Sequence, residues 1–473
     1  MSAARLQPAT LGQLPAGVRR PAFDRRTLGM GIVHLGLGAF VRGHLAVFND
    51  DALDAGGSTD WGIAGVSLRA PETRDALAPQ QGLYTLALRD GAGERLRVIG
   101  CVREMLVAPE NSQAVVERIA DAATRIVSLS VTEKAYQSAE PGSAVALIVQ
   151  GLALRRQRGG APITLMSLDN LPANGGVLRS KVLAAASGDA ALADWIGARC
   201  TFPCSMVDRI VPRTTDADRS RIASALGVHD AWPVVAEPYI DWVLEDRFAA
   251  GRPAWTGVRY VDTVADVAAW ERLKLRMVNG AHSSLAYLAV VAGWPTADAA
   301  MAQPGLRAFL AAMLANEVEP TLSGMAVPAG YRAALLNRFA NPALAHRTAQ
   351  IAMDGSQKIP QRLLATLRDR LAAGAGVHRL ALGIAAWLHF LRGRDEAGRG
   401  YAIDDPLAPA LQALHLAAES IADPRARADH FTRFAPVFGD LAGEPRFVDA
   451  LAIALQSLRE RGVAATLAHT TAH

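Results

Sequence analysis

Cysteine is scarce: Cys101, Cys200 and Cys204 are the only three in 473 residues. They cannot staple a disulfide framework, and their spacing gives no four-ligand metal cluster, so a reducing cytoplasmic setting is the natural expectation. Long apolar runs are missing as well. The stretches 285–293 and 380–391 fall short of the roughly 18 to 20 apolar residues that cross a bilayer, and residues 1–20 carry scattered Arg and Pro instead of a signal-peptide core. Charge of one sign is never blocked together: 49 Lys and Arg against 45 Asp and Glu leave a formal +4, interspersed along the chain. Without a basic stripe, nucleic acid is a weak expectation and small anionic ligands are as compatible. What is present is apolar material, 51% of residues, which excludes a disordered chain and fills the cores of two or three domains.

The first half reads as strands alternating with helices. Gly31-Ile32-Val33-His34-Leu35 is a short strand, residues 40–53 suit a crossover helix, and residues 61–68 suit a second strand. Further apolar runs at 96–99, 124–131 and 163–167, separated by helical patterns such as 112–123, favour a mostly parallel sheet covered by helices. After about residue 270 the pattern becomes Ala-rich and helical, over 270–291, 306–316, 331–338, 359–373 and 377–392. The expected fold is α/β, with an N-terminal Rossmann-type domain over 1–270 and a mainly helical domain over 271–473.

Gly36-Leu37-Gly38-Ala39-Phe40-Val41-Arg42-Gly43-His44 follows the first strand and precedes the helix, the context of a pyrophosphate-binding turn. Gly36 accommodates an unusual backbone angle and Gly38 a close approach of diphosphate. Val41 occupies the position where a strict GxGxxG has its third glycine. After the second strand, Glu72 is placed to accept ribose hydroxyls of NAD and Arg69 to meet a phosphate of NADP; both also read as exposed loop charges.

The segment from Glu271 to His282 carries the most chemistry. At about 100° per residue, with Lys274 at zero, Glu271 falls at about 60°, His282 at about 80° and Asn279 at about 140°, one polar arc. Lys274 then serves as general base toward an alcohol and general acid toward a carbonyl, Asn279 donates to the developing alkoxide, His282 orients a substrate hydroxyl, and Glu271 relays protons to solvent. The alternative is structural: Lys274 and Glu271 cap or solubilise a helix while Asn279 and His282 satisfy interdomain hydrogen bonds.

Asn170 follows the strand 163–167 at a sheet end where ligands enter open α/β sheets, as a second amide for the substrate oxygen or as an Asx turn. Asp208 can accept substrate hydroxyls, alone or beside Arg209, which can equally tie it into a structural network. Lys358 and Arg362, in Asp354-Gly355-Ser356-Gln357-Lys358-Ile359-Pro360-Gln361-Arg362, can hold a substrate carboxylate or charge the start of a helix. His34, His44 and His282 lie on different elements and no HExxH is present, so no catalytic metal is expected.

At these residues the sequence resembles the long-chain mannitol dehydrogenase family, which includes the fructuronate reductases (D-mannonate oxidoreductases). The likeness spans most of 19–465 and rests on the blocks 31–44, 128–136, 169–175, 202–212, 237–246, 274–288 and 354–362. It implies a nicotinamide-dependent dehydrogenase with Lys274 as acid/base, Asn170 and Asn279 as oxyanion donors, His282 and Asp208 positioning substrate, Glu271 gating a proton path and Lys358 in the substrate site. It further implies Gly36, Gly38 and Phe40 at the cofactor diphosphate, Thr132 and Glu133 near the nicotinamide, NAD as the cofactor with NADP still open, and a monomer or weak homodimer. Gln350 stands where mannitol 2-dehydrogenases tend to have Arg, which favours fructuronate reductases, whereas Val41 and Leu45 replace the His and Gln often found in the first block. The expected reaction is therefore D-fructuronate/D-mannonate interconversion, with mannitol 2-dehydrogenase or arabinitol dehydrogenase activity next, and a noncatalytic nucleotide-responsive binding protein as the alternative of another class.

Overall fold

A computed structural model describes residues 4–131, 136, 140, 142–257, 261–322, 324, 325 and 327–470. The chain divides into two compact units, Met1–Glu271 and Arg272–His473.

The first unit is built on a six-stranded sheet ordered Val102–Val107, Ile63–Ser67, Ile32–Leu35, Ile126–Leu129, Ile163–Ser167, Cys200–Thr201, and every pairing in it is parallel. Numbered along the chain this is 3-2-1-4-5-6, the doubly wound order of dinucleotide-binding sheets, whose direction reverses between Ile32–Leu35 and Ile126–Leu129. Each of these two strands is buried along its whole length, because helices cover both faces, and that is why they read as unbroken apolar runs with no alternation.

Two features depart from the sequence reading. Residues 96–99 do not join the parallel sheet. They close the strand Gly93–Ile99, antiparallel to Tyr84–Asp90, in a separate three-stranded sheet with Val234–Ala236, while Val102–Val107 supplies the third parallel strand. The expected crossover helix over 40–53 is two helices, Ala39–Gly43 and Leu45–Asp54, broken at His44, whose backbone leaves the helical region at φ −127° and ψ −91°. The break lets the His44 imidazole reach the Asp241 carbonyl at 3.0 Å within a nest of Phe40, Phe48 and Trp242 rings.

The second unit is helical. Gly280–Ala292 and His378–Phe390 are buried on nearly every side and form its centre. Small residues set how closely they pack: a Cβ on Gly383 would lie 2.5 Å from Ser284 Oγ, and one on Gly280 would lie 3.0 Å from the Arg362 carbonyl. Three helices near the C-terminus, Ala408–Glu419, Pro424–Thr432 and Pro445–Thr470, were not anticipated, the second because its PRARADHFT sequence has no clear apolar stripe. No helix among the described residues is long and apolar enough to cross a membrane.

Candidate active site

In the first unit the turn after Ile32–Leu35 lies at the point where the strand order reverses. Gly36 adopts φ +100°, and a Cβ there would sit 2.2 Å from the Ser130 carbonyl, so only glycine fits. Its N–H donates to the Val66 carbonyl at 2.9 Å, and Ser130 Oγ donates to the Gly36 carbonyl at 3.2 Å. His34, fully buried, spans Ser128 and Ser130 with its two ring nitrogens at 2.9 Å each, and burial pushes it down to about 3, so the imidazole is neutral. Gly38 is relaxed at φ −83°; its N–H donates to the Gly36 carbonyl at 2.6 Å, and a Cβ there would meet nothing nearer than that carbonyl at 3.8 Å, which leaves room for a close approach. Glu72 is exposed in the first turn of the helix Glu72–Leu77, beyond the second strand. Thr132 and Glu133 lie outside the described residues.

The ends of the fourth and fifth parallel strands are tied together by residues that sequence reasoning passed over. Asp169 accepts from Val131 N–H at 2.7 Å and from Tyr136 Oη at 2.5 Å. Asn174, fully buried, donates to the carbonyls of Ser167, Asp169 and Ser205 and accepts from Ser205 N–H. Gly175 leaves no room for a side chain, since a Cβ would lie 2.5 Å from the Phe202 carbonyl. Between Asp169 and Asn174 this clamp leaves Asn170 exposed. The signal was the density of Asp, Asn and Gly in 169–175; its structural share falls on Asp169, Asn174 and Gly175.

Glu271 accepts from Ala173 N–H at 2.8 Å through Oε2, next to the left-handed Ala173 at the start of the helix Asn174–Ala186. Its Oε1 is buried without a hydrogen-bond partner, and burial raises its carboxyl above the usual range. Asp208 ends the strand Ser205–Asp208 and stands opposite Asp241 in antiparallel register. Burial first, and then the charge of Asp208, push Asp241 up to about 6. Arg209 is corrected: its guanidinium donates to the carbonyls of Glu237 (3.0 and 2.9 Å) and Gly43 (2.6 Å), which assigns it to holding the backbone and not to a ligand. Its buried position forces the charge to be satisfied by those carbonyls.

In the second unit Lys274 opens a π-helical turn, Lys274–Asn279, that leads into Gly280–Ala292. The uniform arc at 100° per residue therefore does not hold across 274–279, because a π turn carries an extra residue per turn. The residues keep their local character: Lys274 and Asn279 are only 6% and 7% exposed, and Asn279 Nδ2 is a buried donor without a partner. His282 stacks on Phe339 at 4.7 Å and 12°, and its ring lies 5.3 Å from that of His346; its Nε2 is also buried and unpartnered.

Burial, followed by the positive fields of His346, Arg362, Lys358 and Arg338, holds His282 well below the usual imidazole range. His346 is pushed down to about 4, by burial and then by Lys358. Lys358 donates to the Ile351 carbonyl at 3.3 Å and Arg362 to Ser283 Oγ at 3.2 Å. Both sit on a helical stretch whose Pro360, lacking an N–H, opens the π turn Pro360–Leu364. Gly355 starts that stretch because a Cβ would lie 2.3 Å from Trp387 Nε1 and 2.8 Å from Tyr287 Oη. Gln350 is exposed on the helix Thr348–Ile351. Sequence reasoning did not single out Arg338 or Phe339; neither stands in a motif, and only packing brings them to His282. Among the described residues no cluster of His, Cys, Asp and Glu could hold a metal ion.

Residues 30–257 match the mannitol dehydrogenase Rossmann domain, and residues 266–459 the mannitol dehydrogenase C-terminal domain. A D-mannonate oxidoreductase of Escherichia coli (strain K12) is 40% identical, over 94% of this chain and 96% of its own. A mannitol 2-dehydrogenase of Phaeosphaeria nodorum is 38% identical, over 98% of this chain and 86% of its own. The structure of Pseudomonas fluorescens mannitol 2-dehydrogenase, a ternary complex with NAD and D-mannitol, aligns with a TM-score of 0.91 at 36% identity, covering 98% of this chain and 99% of that one.

Proposed function

Because the chain belongs to the mannitol dehydrogenase family, we propose that it interconverts a ketouronate and its aldonate, D-fructuronate and D-mannonate being the leading pair, with NAD. It is a secondary alcohol dehydrogenase acting on a polyol or sugar acid. The observation that carries the finer reading is the set of cationic groups around His282. The positive charges acting on that neutral ring come from Arg362, Lys358 and Arg338, an environment suited to a carboxylate and unneeded by a neutral polyol.

The doubly wound strand order and the left-handed Gly36 fit a dinucleotide, with Gly36, Gly38 and Phe40 at the diphosphate and Glu72 at the ribose. When bound, NAD accepts and returns the hydride. The chain's own residues manage the oxygen. Lys274 takes the hydroxyl proton in oxidation and returns it in reduction, and Asn279, through its unpartnered Nδ2, donates to the developing alkoxide together with Asn170. His282 offers Nε2 to a neighbouring substrate hydroxyl, Asp208 accepts from another, and Lys358 with Arg362 holds the carboxylate. Glu271, with one oxygen committed to Ala173 N–H and the other unpartnered, gates proton exchange with solvent.

The second reading is D-mannitol/D-fructose interconversion, favoured by the D-mannitol-bound structure to which the chain aligns over nearly its full length. Assaying D-fructuronate and D-fructose with NADH and with NADPH decides. A higher kcat/KM for fructuronate is expected; preference for fructose moves the assignment to mannitol, and reduction of neither keto sugar by either cofactor ends the dehydrogenase reading.

A further inference from the structure

Away from the residues above, the second unit holds a cleft of about 250 Å³ where four segments converge. Its apolar floor is Leu388, Ala418, Phe431 and Leu455. Its walls are cationic: Arg392 and Arg394 from the turn after His378–Phe390, Arg427 from Pro424–Thr432, and Arg459 from Pro445–Thr470. Two histidines, His389 and His415, complete the lining, and Glu419 is its only acid.

Neighbouring arginines are neutralised locally: Arg399, Arg425 and Arg433 pair with Asp395, Asp449 and Asp429 at 2.7, 2.6 and 2.7 Å. Arg392, Arg394, Arg427 and Arg459 form no such ion pair among the described residues. Instead they act on one another, Arg394 and Arg459 opposing the charge of Arg392, and Arg459 that of Arg427. The fold itself uses part of this charge. Arg427 donates to the Ala418 and Ile421 carbonyls at the end of Ala408–Glu419, and Arg392 donates to His389 Nε2 at 2.5 Å. Two helix C-termini contribute roughly half a negative charge each. With Glu419 they offset about two of the four guanidinium charges, leaving roughly two without a counter-charge. His415 adds a buried Nδ1 that has no hydrogen-bond partner.

We propose that this cleft is a second ligand site, which binds a phosphoryl dianion, as inorganic phosphate or a phosphate monoester, through Arg392, Arg394 and Arg459. Two planar guanidinium forks suit the oxygens of a phosphoryl group, and a charge near −2 matches the residue left over where a single carboxylate would not. The site is independent of the dehydrogenase reading, which stands or falls without it.

Isothermal titration of the full chain at matched ionic strength tests this, with inorganic phosphate, glucose 6-phosphate, citrate and gluconate as probes. Saturable one-to-one binding is expected for phosphate or the sugar phosphate, at least about tenfold tighter than for gluconate. Tighter binding of the ester assigns a metabolite, and equal binding assigns free phosphate. The double variant Arg394→Gln/Arg459→Gln, at two exposed positions, should weaken that binding about tenfold and leave kcat and KM for the sugar substrate unchanged; Arg459→Glu should weaken it further. No saturable phosphoryl binding, binding indifferent to these substitutions, or citrate bound in preference to both phosphoryl probes overturns the proposal.

Discussion

Lys274→Ala should lower the rate of hydride transfer by about 10²- to 10⁴-fold, the range supplied by a positioned acid/base, while nucleotide binding stays intact. Single-turnover kinetics beside a cofactor titration checks both halves, and an unchanged chemical rate in a folded variant removes Lys274 from the mechanism. Lys358→Ala should weaken a ketouronate more than a matched neutral ketose, because the lost charge faces a carboxylate only in the former; equal losses in KM would contradict the carboxylate assignment. Sequence reasoning singled out these two lysines because each stands in a dense polar segment. Arg209 shows the opposite: its neighbour Asp208 suggested a ligand, yet its guanidinium is consumed by the carbonyls of Glu237 and Gly43, partners 28 and 166 residues away. Nothing local announces a partner at that distance.

Among the elements, Gly355 decides where side chains proposed for the substrate site are placed. Gly355→Ala would drive a Cβ to 2.3 Å from Trp387 Nε1, so the helical stretch carrying Lys358 and Arg362 must shift. A destabilisation of about 1 to 3 kcal/mol is expected, read by urea unfolding, together with a raised KM for the uronate. Four of the six parallel strands were readable as apolar runs, and the glycine turn as a motif; Val102–Val107 and Cys200–Thr201 were not read. The π turns were not: Lys274–Asn279 and Pro360–Leu364 depend on how neighbouring helices pack, and a uniform helical wheel has no place for the extra residue. Residues 96–99 were misplaced for a related reason, since an apolar run states that a strand is buried but not which sheet receives it.

For the whole molecule, buried histidines set the acid limit. His34 and His389 are pushed down to about 3 and His346 to about 4, and His282 and His415 are also lowered, in each case first by burial. The folded state then binds fewer protons than the unfolded chain, so their contribution is complete above about pH 6.5 and is lost as pH falls toward their folded values. Asp50 and Asp241, pushed up to about 6 by burial, act in the other sense: their contribution is present at low pH and is lost as pH rises from about 4 to 6. A single variant isolates one term. His34→Gln should flatten the dependence of unfolding free energy between pH 5 and 6 by about 1.4 kcal/mol per pH unit, whatever its own stability. An unaltered slope would mean that His34 is protonated in the folded chain.

The alternation of strands and helices in the first half, the helical character of the second, the glycine turn, and the polar segments around Lys274 and Lys358 were written locally, in residue types whose backbone and side-chain preferences act over a few positions. Folding alone decided that Asn174 and Asp169, not Asn170, clamp the strand ends, that Phe339 stacks on His282 while Arg338 acts on it by charge, and that four arginines with no ion pair among the described residues share one cleft. Those outcomes depend on which surfaces exclude water together, a property of residues far apart in the chain, and so no window of sequence contains them.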